Sequence, residues 1–340
     1  MKKINFNSDF VKGSLCLVLL NLTFIAFSQQ YEWAVKEPMP LNSAALSACY
    51  YDGKIYAIGG SDGLMYNNEY GNNYFMIYDV ATQTWTQGPD LPSPRMMLSA
   101  VEAGGKIYAI GGGYPPYLNN INECYDPETG TWTEKSPMPI STSCFAACNV
   151  DGLIYTAGGM LSFGKSYCYN PETDEWTQKA TLPFPVAGPT GTYLDGKIYV
   201  TGGINQNYTN IDKLQIYDVA SDTWDATKAP MDTCRFGHSM SVIDNKVIVL
   251  GGCVFPENKA MRTVIAYDAE ADTWTDMPML PDSLQWGAVC SFGNKIYIMG
   301  GEDKCMMTYS DATIFNYFFE LSSSSDINTQ LYEPGIMLNT

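Results

Sequence analysis

The feature that most constrains this chain is a nine-residue stretch that recurs along it. In its clearest form the stretch reads Asp-Gly-Lys-Ile-Tyr-Val-Thr-Gly-Gly, at residues 195–203. A recurring stretch of this kind indicates equivalent structural units that stack into one large domain. The related copies lie at residues 52–60, 104–112, 151–159, 244–252 and 293–301. The sequence therefore predicts six copies of one unit rather than two unrelated domains.

Each unit shows the same order of local signals. An apolar stretch leads into a two-residue turn of the Asp-Gly type, which suits a tight hairpin because Gly and Asn tolerate positive φ. An alternating strand then ends in Gly-Gly, a third strand ends in Tyr-Asp or Tyr-Asn, and a fourth strand is centred on Trp. The double glycines are Gly59 and Gly60, Gly111 and Gly112, Gly158 and Gly159, Gly202 and Gly203, Gly251 and Gly252, and Gly300 and Gly301. The tryptophans are Trp85, Trp132, Trp176, Trp224 and Trp274.

This pattern resembles the kelch repeat, and the resemblance extends from residue 31 to about residue 320. Kelch repeats build β-propellers, in which each repeat is one four-stranded antiparallel blade. The resemblance therefore implies an all-β, six-bladed β-propeller over residues 29–320. In that architecture the Tyr and Trp side chains fill the space between blades, and the double glycines permit sharp turns and close backbone approach.

The sixth unit is incomplete, which predicts how the ring closes. A third strand is expected at residues 312–320, but no Trp follows it. Trp33 has no hairpin before it, and it precedes a proline-containing link like the one that follows Trp132. We therefore predict that the strand around Trp33 completes the last blade, which closes the ring and removes free sheet edges.

The two termini differ in composition from the repeats. Residues 1–28 combine Lys2 and Lys3 with an apolar run at 14–27 and a small-x-small site, which is typical of a secretory signal peptide. An uncleaved N-terminal anchor is the alternative, although the apolar run is short for a membrane span. We therefore expect a secreted or periplasmic protein without a membrane span after cleavage. Residues 321–340 show little periodicity and are expected to form a C-terminal tail.

Charge and cysteine content restrict the possible ligands. The net charge of −17 argues against a nucleic-acid partner, because phosphate binding needs basic surface. The single histidine, His238, excludes a multi-histidine metal site, and we expect neither a metal nor a cofactor. Most cysteines occupy equivalent apolar positions and are expected to pack in the core. An exported chain can also form disulfides, and we expect a Cys234–Cys253 bond if any forms.

Two arginines stand out when the units are aligned on their hairpin turns. The position nine residues before the turn holds Arg95 in the second unit and Arg235 in the fifth, and His238 follows Arg235 closely. A guanidinium group suits bidentate binding of a carboxylate or phosphate, so the pair predicts an anion site beside the channel. The alternative is that both are surface residues in ion pairs with Asp90 and Asp232, which contribute little to stability.

Aromatic residues are frequent in and beside the loops that follow Gly-Gly. These loops share one face with the links between blades, and loops on a rigid scaffold commonly carry binding residues. Exposed aromatic rings can stack on sugars or anchor a protein interface, and the alternative is that they cover their own loops. The candidate ligand-binding residues are Arg95, Arg235, His238, Tyr66, Tyr114, Tyr117, Tyr208 and Trp286.

The preferred function is non-catalytic binding of a protein or glycan on the Gly-Gly-loop face, as the kelch resemblance implies. The chain is expected to act as a monomer. The alternative is an exported sugar-acid mutarotase of the sialic-acid type, in which Arg95 and Arg235 would hold the carboxylate and acidic loop residues would transfer protons. The acidic candidates, named only by their loop positions, are Glu69, Glu123, Glu257, Glu302 and Asp303.

Overall fold

The structure is a computed structural model, and the regular structure of its described residues is entirely β. It describes residues 31–62, 71–162, 164–254, 257, 259–304 and 312–323. The candidate residue Tyr66 lies outside these residues. Trp33–Ser322 form one compact unit. The second unit comprises Met1–Glu32 and Ser323–Thr340, of which Tyr31, Glu32 and Ser323 are described.

The strands are short and nearly uniform in length. They are β1 (Tyr31–Val35), β2 (Ser47–Tyr51), β3 (Lys54–Ile58), β4 (Phe75–Asp79), β5 (Thr84–Gln87), β6 (Ser99–Ala103), β7 (Lys106–Ile110), β8 (Asn122–Asp126), β9 (Thr131–Lys135), β10 (Ala146–Val150), β11 (Leu153–Ala157), β12 (Ser166–Asn170), β13 (Glu175–Lys179), β14 (Thr190–Leu194), β15 (Lys197–Thr201), β16 (Leu214–Asp218), β17 (Thr223–Asp225), β18 (Ser239–Ile243), β19 (Lys246–Leu250), β20 (Val264–Asp268), β21 (Thr273–Met277), β22 (Ala288–Phe292), β23 (Lys295–Met299) and β24 (Phe318–Ser323).

These strands form six four-stranded antiparallel sheets. Blades 1 to 5 are β2–β5, β6–β9, β10–β13, β14–β17 and β18–β21, each in sequence order. Blade 6 has the order β22-β23-β24-β1. The inner strands of successive blades contact one another, and β22 contacts β2, so the blades form a ring. The predicted six-bladed β-propeller is therefore confirmed.

The N-terminal strand closes the ring as predicted. The Trp33 indole N–H donates a hydrogen bond to the Pro278 carbonyl in the link between blades 5 and 6, at 2.9 Å. Its ring lies edge-on to Phe319, with the centroids 6.5 Å apart. The Lys36 N–H donates to the Phe318 carbonyl at 2.9 Å. The last blade is thus built from both ends of the propeller sequence.

The third strand of blade 6 lies further along the chain than its sequence indicates. The observed strand is β24, which pairs Ile296 with Leu321, whereas blade 1 pairs Ile55 with Tyr78. Leu321 thus takes the place of the repeated tyrosine, so no Tyr-Asp pair marks the strand end. The strand therefore crosses the boundary at residue 320 that the sequence suggested for the tail.

Every repeated tryptophan makes the same contact between blades. Its indole N–H donates to a main-chain carbonyl in the link before its own blade, at 2.8–3.0 Å. The ring also packs against the tyrosine of the same blade, as Trp85 does against Tyr78 with a centroid distance of 5.0 Å. The Trp position therefore combines apolar burial with a satisfied polar group, which is the favourable arrangement for an indole. The bonded pairs are Trp33–Pro278, Trp85–Glu37, Trp132–Pro89, Trp176–Ser136, Trp224–Ala180 and Trp274–Ala229.

The Tyr-Asp pair has a separate role for each residue. The tyrosine lies in an apolar cluster between blades, as Tyr78 does beside Ile55 and Met299. The aspartate ends the strand and accepts hydrogen bonds from the following turn, as Asp79 does from the N–H groups of Ala81 and Thr82. Such turns are a local preference of Asp and Asn, which explains the Asn in the third unit.

The predicted disulfide is wrong. Cys253 takes part in a disulfide, but Cys234 is a free thiol. The main chain of Cys253 pairs with that of Phe236, so Cys234 is two residues away from the position opposite Cys253.

Among the described residues there is no helix of the length and apolarity that a bilayer span requires.

Candidate functional site

The two faces of the propeller carry different connections. In each blade the loop after Gly-Gly joins the second and third strands, and the links between blades emerge on the same side because the strands alternate in direction. We call this side the Gly-Gly face. The opposite side, which holds the two short turns of each blade, is the tight-turn face. Of the described residues that the sequence selected for ligand binding, Tyr114, Tyr117 and Tyr208 lie in loops after Gly-Gly, and Arg95, Arg235, His238 and Trp286 lie in links between blades.

Arg95 is buried in the scaffold rather than exposed at the channel mouth. Its side chain is 1% exposed, and Nη1 forms an ion pair with Glu123 at 2.5 Å. Its other hydrogen bonds go to three main-chain carbonyls at 2.7–2.8 Å. Nε donates to Gly111, Nη1 to Ser93 and Nη2 to Ala109. Burial lowers the pKa of Arg95, and Glu123 opposes that shift. Four of the five guanidinium N–H groups are therefore bonded within the protein, and the group is not accessible to a ligand.

The sequence-based alternative for Arg95, a surface pair with Asp90, also differs from the structure. Asp90 instead accepts hydrogen bonds from the side-chain amides of Asn73 and Gln87, at 2.9 and 3.1 Å. The partner of Arg95 is Glu123, which lies on β8 and is itself buried. Neither of the two sequence interpretations anticipated a buried pair.

Arg235 occupies the equivalent position in blade 5 without a carboxylate partner among the described residues. Its side chain is 2% exposed, and Nη1 donates to the carbonyls of Gly251 and Thr263 at 2.9 Å. Nε is buried and makes no hydrogen bond in the described part of the chain. Burial lowers the pKa of Arg235 to about 10, and the charge of Asp276 opposes this only in part. The expected partner Asp232 forms no ion pair with it.

His238 fills a slot between blades 4 and 5. It is 3% exposed, and a Cβ on Gly202 would lie only 2.4 Å from its Cε1, so the imidazole rests directly on that glycine. The ring nitrogens make no hydrogen bond of good geometry within the described residues, although the Thr201 main chain accepts weakly from the imidazole and favours its cation. Burial and the nearby Arg235 charge lower the pKa of His238 to about 3. The imidazole is therefore neutral at ordinary pH, and the two arginines and His238 do not form an open anion site.

Trp286 and Tyr114 are brought together at the mouth of the channel. Both pack against one cluster of buried residues from blades 1 to 3, which includes Met97 and Cys144. Trp286 also lies edge-on to Phe236 from blade 5, with the centroids 5.1 Å apart. The indole of Trp286 thus connects opposite sides of the channel mouth.

Tyr117 and Tyr208 are exposed at the tips of their loops, at 45% and 56%. The Tyr208 turn is held by Asn205, whose side-chain oxygen accepts from the N–H groups of Asn207 and Thr209 at 2.9 and 3.0 Å. The N–H of Tyr117 bonds to the carbonyl of Tyr114 at 2.7 Å. Both rings are therefore partly exposed at the surface, on turns that are held by hydrogen bonds.

Five further exposed apolar side chains among the described residues of this face were missed by the search for aromatics and charges, namely Val35, Leu41, Leu161, Phe184 and Met279. Leu161 follows the third Gly-Gly, and Met279 lies in a link. Phe184 lies in the link between blades 3 and 4, where buried Gln215 accepts from its N–H at 2.8 Å and donates to its carbonyl at 3.1 Å. The only sequence signal was an apolar residue between prolines, Pro183-Phe184-Pro185, in a link that otherwise reads as packing.

Large apolar side chains are distributed unequally over the two faces. Among the described residues, the ones exposed on the Gly-Gly face are Val35, Leu41, Tyr117, Leu161, Phe184, Tyr208 and Met279. The tight-turn face has Phe292, which stacks on Tyr50 with a centroid distance of 4.1 Å. Scattered apolar residues are normal on a surface, but their concentration on one face indicates an interaction surface.

Glu302 is a buried carboxyl group that directly follows the sixth Gly-Gly. Its Oε1 accepts a hydrogen bond from Gln285 Nε2 at 2.9 Å. Burial raises the pKa of Glu302 to about 7, Gln285 lowers it, and the charge of Asp303 raises it. Such a group can gain or lose a proton near neutral pH. Within the described residues, however, no cluster of three or more His, Cys, Asp or Glu side chains could hold a metal ion.

Comparison with known proteins agrees with this architecture. Residues 144–329 match the model described as the KLHDC2/KLHL20/DRC7 Kelch-repeats domain. Residues 44–92 and 94–139 match the model of the Kelch motif. Together the matched segments cover the six repeats identified from the double glycines.

Curated relatives match over shorter segments. Kelch-like protein 25 of Xenopus laevis is 34% identical over 93 residues, which are 25% of this chain and 16% of the relative. Kelch-like protein terF of Aspergillus terreus is 29% identical over 130 residues, 37% of this chain and 27% of the relative. The chain thus spans less than a third of the length of these relatives.

A solved structure, that of YjhT, is similar in fold. It superposes with a TM-score of 0.68 and 16% sequence identity, covering 83% of this chain and 97% of that one. At this identity the likeness concerns the fold alone. The family-model matches, in contrast, extend over more than half of the sequence, and the chain therefore belongs to the kelch-repeat family.

Proposed function

We propose that the chain is a non-catalytic binding scaffold that recognises a partner protein through the Gly-Gly face of blades 2 to 4. Kelch propellers are typically protein-binding scaffolds. The observation that carries the proposal is the set of apolar side chains at the tips of ordered loops there, namely Tyr117, Leu161, Phe184 and Tyr208.

The rigid presentation of these side chains supports binding. The Leu161 loop is held by bonds from Ser162 N and Oγ to the Gly159 carbonyl, and the Phe184 backbone is held by Gln215. Apolar groups that are already fixed in an exposed position lose little conformational entropy when a partner covers them. Solvent exposure of such groups is unfavourable for the free chain, so burial against a partner is favourable.

The charge pattern indicates what kind of surface the partner offers. The tips of the loops and the link that carry the four side chains contain no charged residue, at 113–121, 160–164, 180–187 and 204–211, and the charges of these loops stand at their ends, at Lys165, Asp212 and Lys213. The loop on the opposite side of the ring carries Glu257 and Lys259 in its middle and Arg262 near its end. In a chain with a net charge of −17, an uncharged arc favours an apolar, uncharged contact region on the partner.

Site-specific photo-crosslinking tests this assignment. Benzoylphenylalanine is placed at position 161, 184 or 208 of the full chain in the producing cells, and at position 292 as a matched control on the tight-turn face. We expect one protein adduct of the same mass from the three arc positions and none from position 292. Adducts from position 292 alone, or unrelated adducts from the three arc positions, would contradict the proposal.

A glycan is the second candidate ligand, because Tyr117 and Tyr208 are exposed aromatic rings suited to stacking on sugars. Screening the purified chain on immobilised glycans tests it, with Y117A and Y208A expected to abolish any binding and Phe292→Ala to leave it unchanged. The sugar-acid mutarotase alternative depended on Arg95 and Arg235 holding a carboxylate. Both guanidinium groups are buried and bonded to main-chain carbonyls, so neither is placed to bind a substrate carboxylate.

We propose that the propeller acts outside the cytoplasm, after cleavage of residues 1–28, and as a monomer. The basic start, the apolar run and the small-x-small site support export. The disulfide of Cys253 suits an oxidising compartment. Mass spectrometry of the exported protein should show Gln29 as the first residue, and light scattering should give the mass of one chain. Retention of residues 1–28 or a stable dimer would contradict the respective part.

A further inference from the structure

Glu302 occupies a position that is uncharged in the other five blades. It is the residue directly after Gly-Gly in blade 6, and it is 5% exposed. The residues at this position in blades 1 to 5 are Ser61, Gly113, Met160, Ile204 and Cys253. Blade 6 therefore has a buried carboxyl group where the other repeats have a small or apolar residue.

The main chain of Glu302 pairs with the link between blades 5 and 6 at the channel mouth. The N–H of Glu302 donates to the Gln285 carbonyl, and the N–H of Gln285 donates to the Glu302 carbonyl, both at 3.0 Å. Gln285 directly precedes Trp286, whose N–H donates to the Gly237 carbonyl at 2.7 Å and whose carbonyl accepts from the Ala45 N–H at 2.9 Å. The contact between Gln285 and Glu302 thus lies beside the main-chain bonds that join blade 6 to blades 5 and 1.

The side chains of Gln285 and Glu302 satisfy only part of their hydrogen-bonding capacity. Nε2 of Gln285 donates to Glu302 Oε1 at 2.9 Å and also to the Lys304 carbonyl. Oε1 of Gln285 is buried and has no partner among the described residues, and an ionised carboxylate has no proton to donate to it. A protonated carboxyl group has both a donor and an acceptor, so it can pair with a primary amide through two hydrogen bonds. The amide oxygen therefore favours Glu302 in its protonated form.

The charges around Glu302 also favour its neutral form. Burial and the neighbouring charge of Asp303 raise the pKa of Glu302 to about 7, while the Gln285 donor lowers it. Glu302 takes part in none of the ion pairs between described residues. Segment 40–46, which contacts Gly301, has no titratable side chain. The titratable residues on the other described segments around Glu302 are Asp282 in the link, Tyr317 before β24, Lys304, and Glu257, Lys259 and Arg262 in the blade-5 loop.

We propose that Glu302 is a proton switch for the start of the blade-6 loop. With a proton, its carboxyl group forms two hydrogen bonds with the Gln285 amide and holds the residue after Gly-Gly against the link at the channel mouth. Without the proton, it keeps one of these bonds and leaves a buried negative charge, which is unfavourable. The proton is exchanged with solvent, and only the O–H bond of Glu302 forms or breaks. Local opening of this contact is therefore easier above neutral pH than in mild acid.

Amide hydrogen exchange of the full chain, read by mass spectrometry, tests the switch against a reference within the molecule. In blade 1 the main chains of Ala44 and Ser61 make the same two hydrogen bonds, at 2.9 and 2.8 Å, and neither residue titrates. The ratio of the exchange rate of the blade-6 pair to that of the blade-1 pair removes the intrinsic pH dependence of exchange. The stabilisation by protonated Glu302 is complete below pH 4.5 and is lost as pH rises through 7. The ratio should therefore rise by roughly tenfold or more between pH 5 and pH 7.

Two variants separate Glu302 from its neighbours. Glu302→Gln copies the protonated form, because its amide also offers one donor and one acceptor to Gln285. We expect its ratio to stay at the low value across the pH range. Asp303→Asn is the matched control: it removes the adjacent carboxylate but keeps an acceptor for the Thr313 N–H, which Asp303 binds at 2.8 Å. It should retain most of the rise.

Two results would overturn the proposal. They are a wild-type ratio that does not change between pH 5 and pH 7, and a rise that persists unchanged in Glu302→Gln. Thermal unfolding at pH 5 shows whether each variant is folded. If Glu302→Gln does not fold, Glu302→Ile, which copies Ile204 of blade 4, takes its place and should likewise show no dependence of the ratio on pH.

Discussion

Arg95 and Arg235 hold the same position in blades 2 and 5, but only one has a carboxylate partner in the described structure. Both are buried, and both donate to the carbonyl of the first glycine of the Gly-Gly pair in their own blade, Gly111 or Gly251. In blade 2 the charge is balanced by Glu123. In blade 5 the equivalent residue of the third strand is Ile265.

This difference shows that one position in a repeat can have the same local structure and a different energetic role. The carbonyl of the first glycine in the Gly-Gly pair serves both arginines, and their other main-chain acceptors differ. The third strand decides whether the cation is paired. A buried pair that loses one partner leaves an uncompensated charge, whereas removal of an unpaired buried charge relieves a desolvation cost.

The largest effect is expected from the same substitution in the two blades. Arg95→Met should lower the free energy of unfolding by about 3–5 kcal/mol, because it leaves the buried Glu123 carboxylate with the Ser93 hydroxyl but without an opposite charge. Arg235→Met should cost about 1 kcal/mol or less, since only carbonyl hydrogen bonds are lost. Urea denaturation of both variants measures the difference. The double variant Arg95→Met with Glu123→Met should recover much of the loss, and equal losses in the two single variants would refute the comparison.

A second test concerns His238, which has no counterpart in blade 2. The equivalent residue there is Leu98, so His238→Leu copies blade 2 into blade 5. The folded-state pKa of about 3 lies below the ordinary value of 6.5, because burial and Arg235 disfavour the cation. The unfolded chain therefore binds the proton first as pH falls. The contribution of the neutral imidazole to the free energy of unfolding is therefore at its full value above pH 6.5 and decreases progressively toward pH 3.

At pH 5 the wild type should therefore lose about 2 kcal/mol relative to pH 8 through His238, at 1.36 kcal/mol per pH unit. His238→Leu should lack this loss. Glu302 acts in the opposite direction: its raised pKa of about 7 makes the folded state gain stability as pH falls from 7 toward 4.5. Its contribution cancels in the difference between wild type and variant. Parallel pH profiles of the two proteins in urea denaturation would contradict the assignment.

A third test supplies blade 5 with the acid that it lacks. Ile265→Glu places a carboxylate where Glu123 stands in blade 2, and Arg235 should stabilise it. We expect the substitution to be less destabilising with Arg235 present than in an Arg235→Met background, by about 1–2 kcal/mol. A double-mutant cycle from urea denaturation gives this coupling. A coupling near zero would show that the two positions do not reproduce the geometry of blade 2.

Burial of these residues could have been predicted from the aligned repeats. The other four units have Ser43, Thr142, Val186 and Leu284 at the arginine position, and all four are buried. At the His238 position the other blades include Leu46, Leu98 and Phe145, which also indicates an interior site. The charge of the arginines instead suggested a surface or ligand role. The burial of a repeat position is thus better predicted from the residues that all six units have there than from the one charged residue.

The ring closure was predictable for a different reason. Trp33 lacked a hairpin and the sixth unit lacked a Trp, so the two incomplete units fitted each other. The Glu123 pairing was not predictable, because Arg95 and Glu123 lie 28 residues apart within blade 2 and no local sequence signal relates the link to the third strand. Local sequence signals give the order of strands within a blade, but they do not show which side chains of distant segments meet. The Cys253 disulfide belongs to the same class, since connectivity cannot be read from sequence.

The smallest expected effect extends the comparison to the repeated tyrosines. In blade 3 the Tyr169 hydroxyl donates to Asp174 at 2.7 Å, and blades 4 and 5 show the same contact. In blade 1 the equivalent of Asp174 is Gln83, and the buried Tyr78 hydroxyl has no partner among the described residues. Gln83 and Asp174 have positive φ of 57° and 56°, so Asp fits the backbone of blade 1.

Gln83→Asp should therefore raise the free energy of unfolding by about 1 kcal/mol, the net value of one hydrogen bond. Tyr78→Phe separates this bond from a general effect of the turn. In the wild type, Tyr78→Phe should be nearly neutral, because the hydroxyl is already unpartnered. In the Gln83→Asp background it should remove the gain. An equal gain from Gln83→Asp with and without the Tyr78 hydroxyl would show that the turn, and not the bond between side chains, is stabilised.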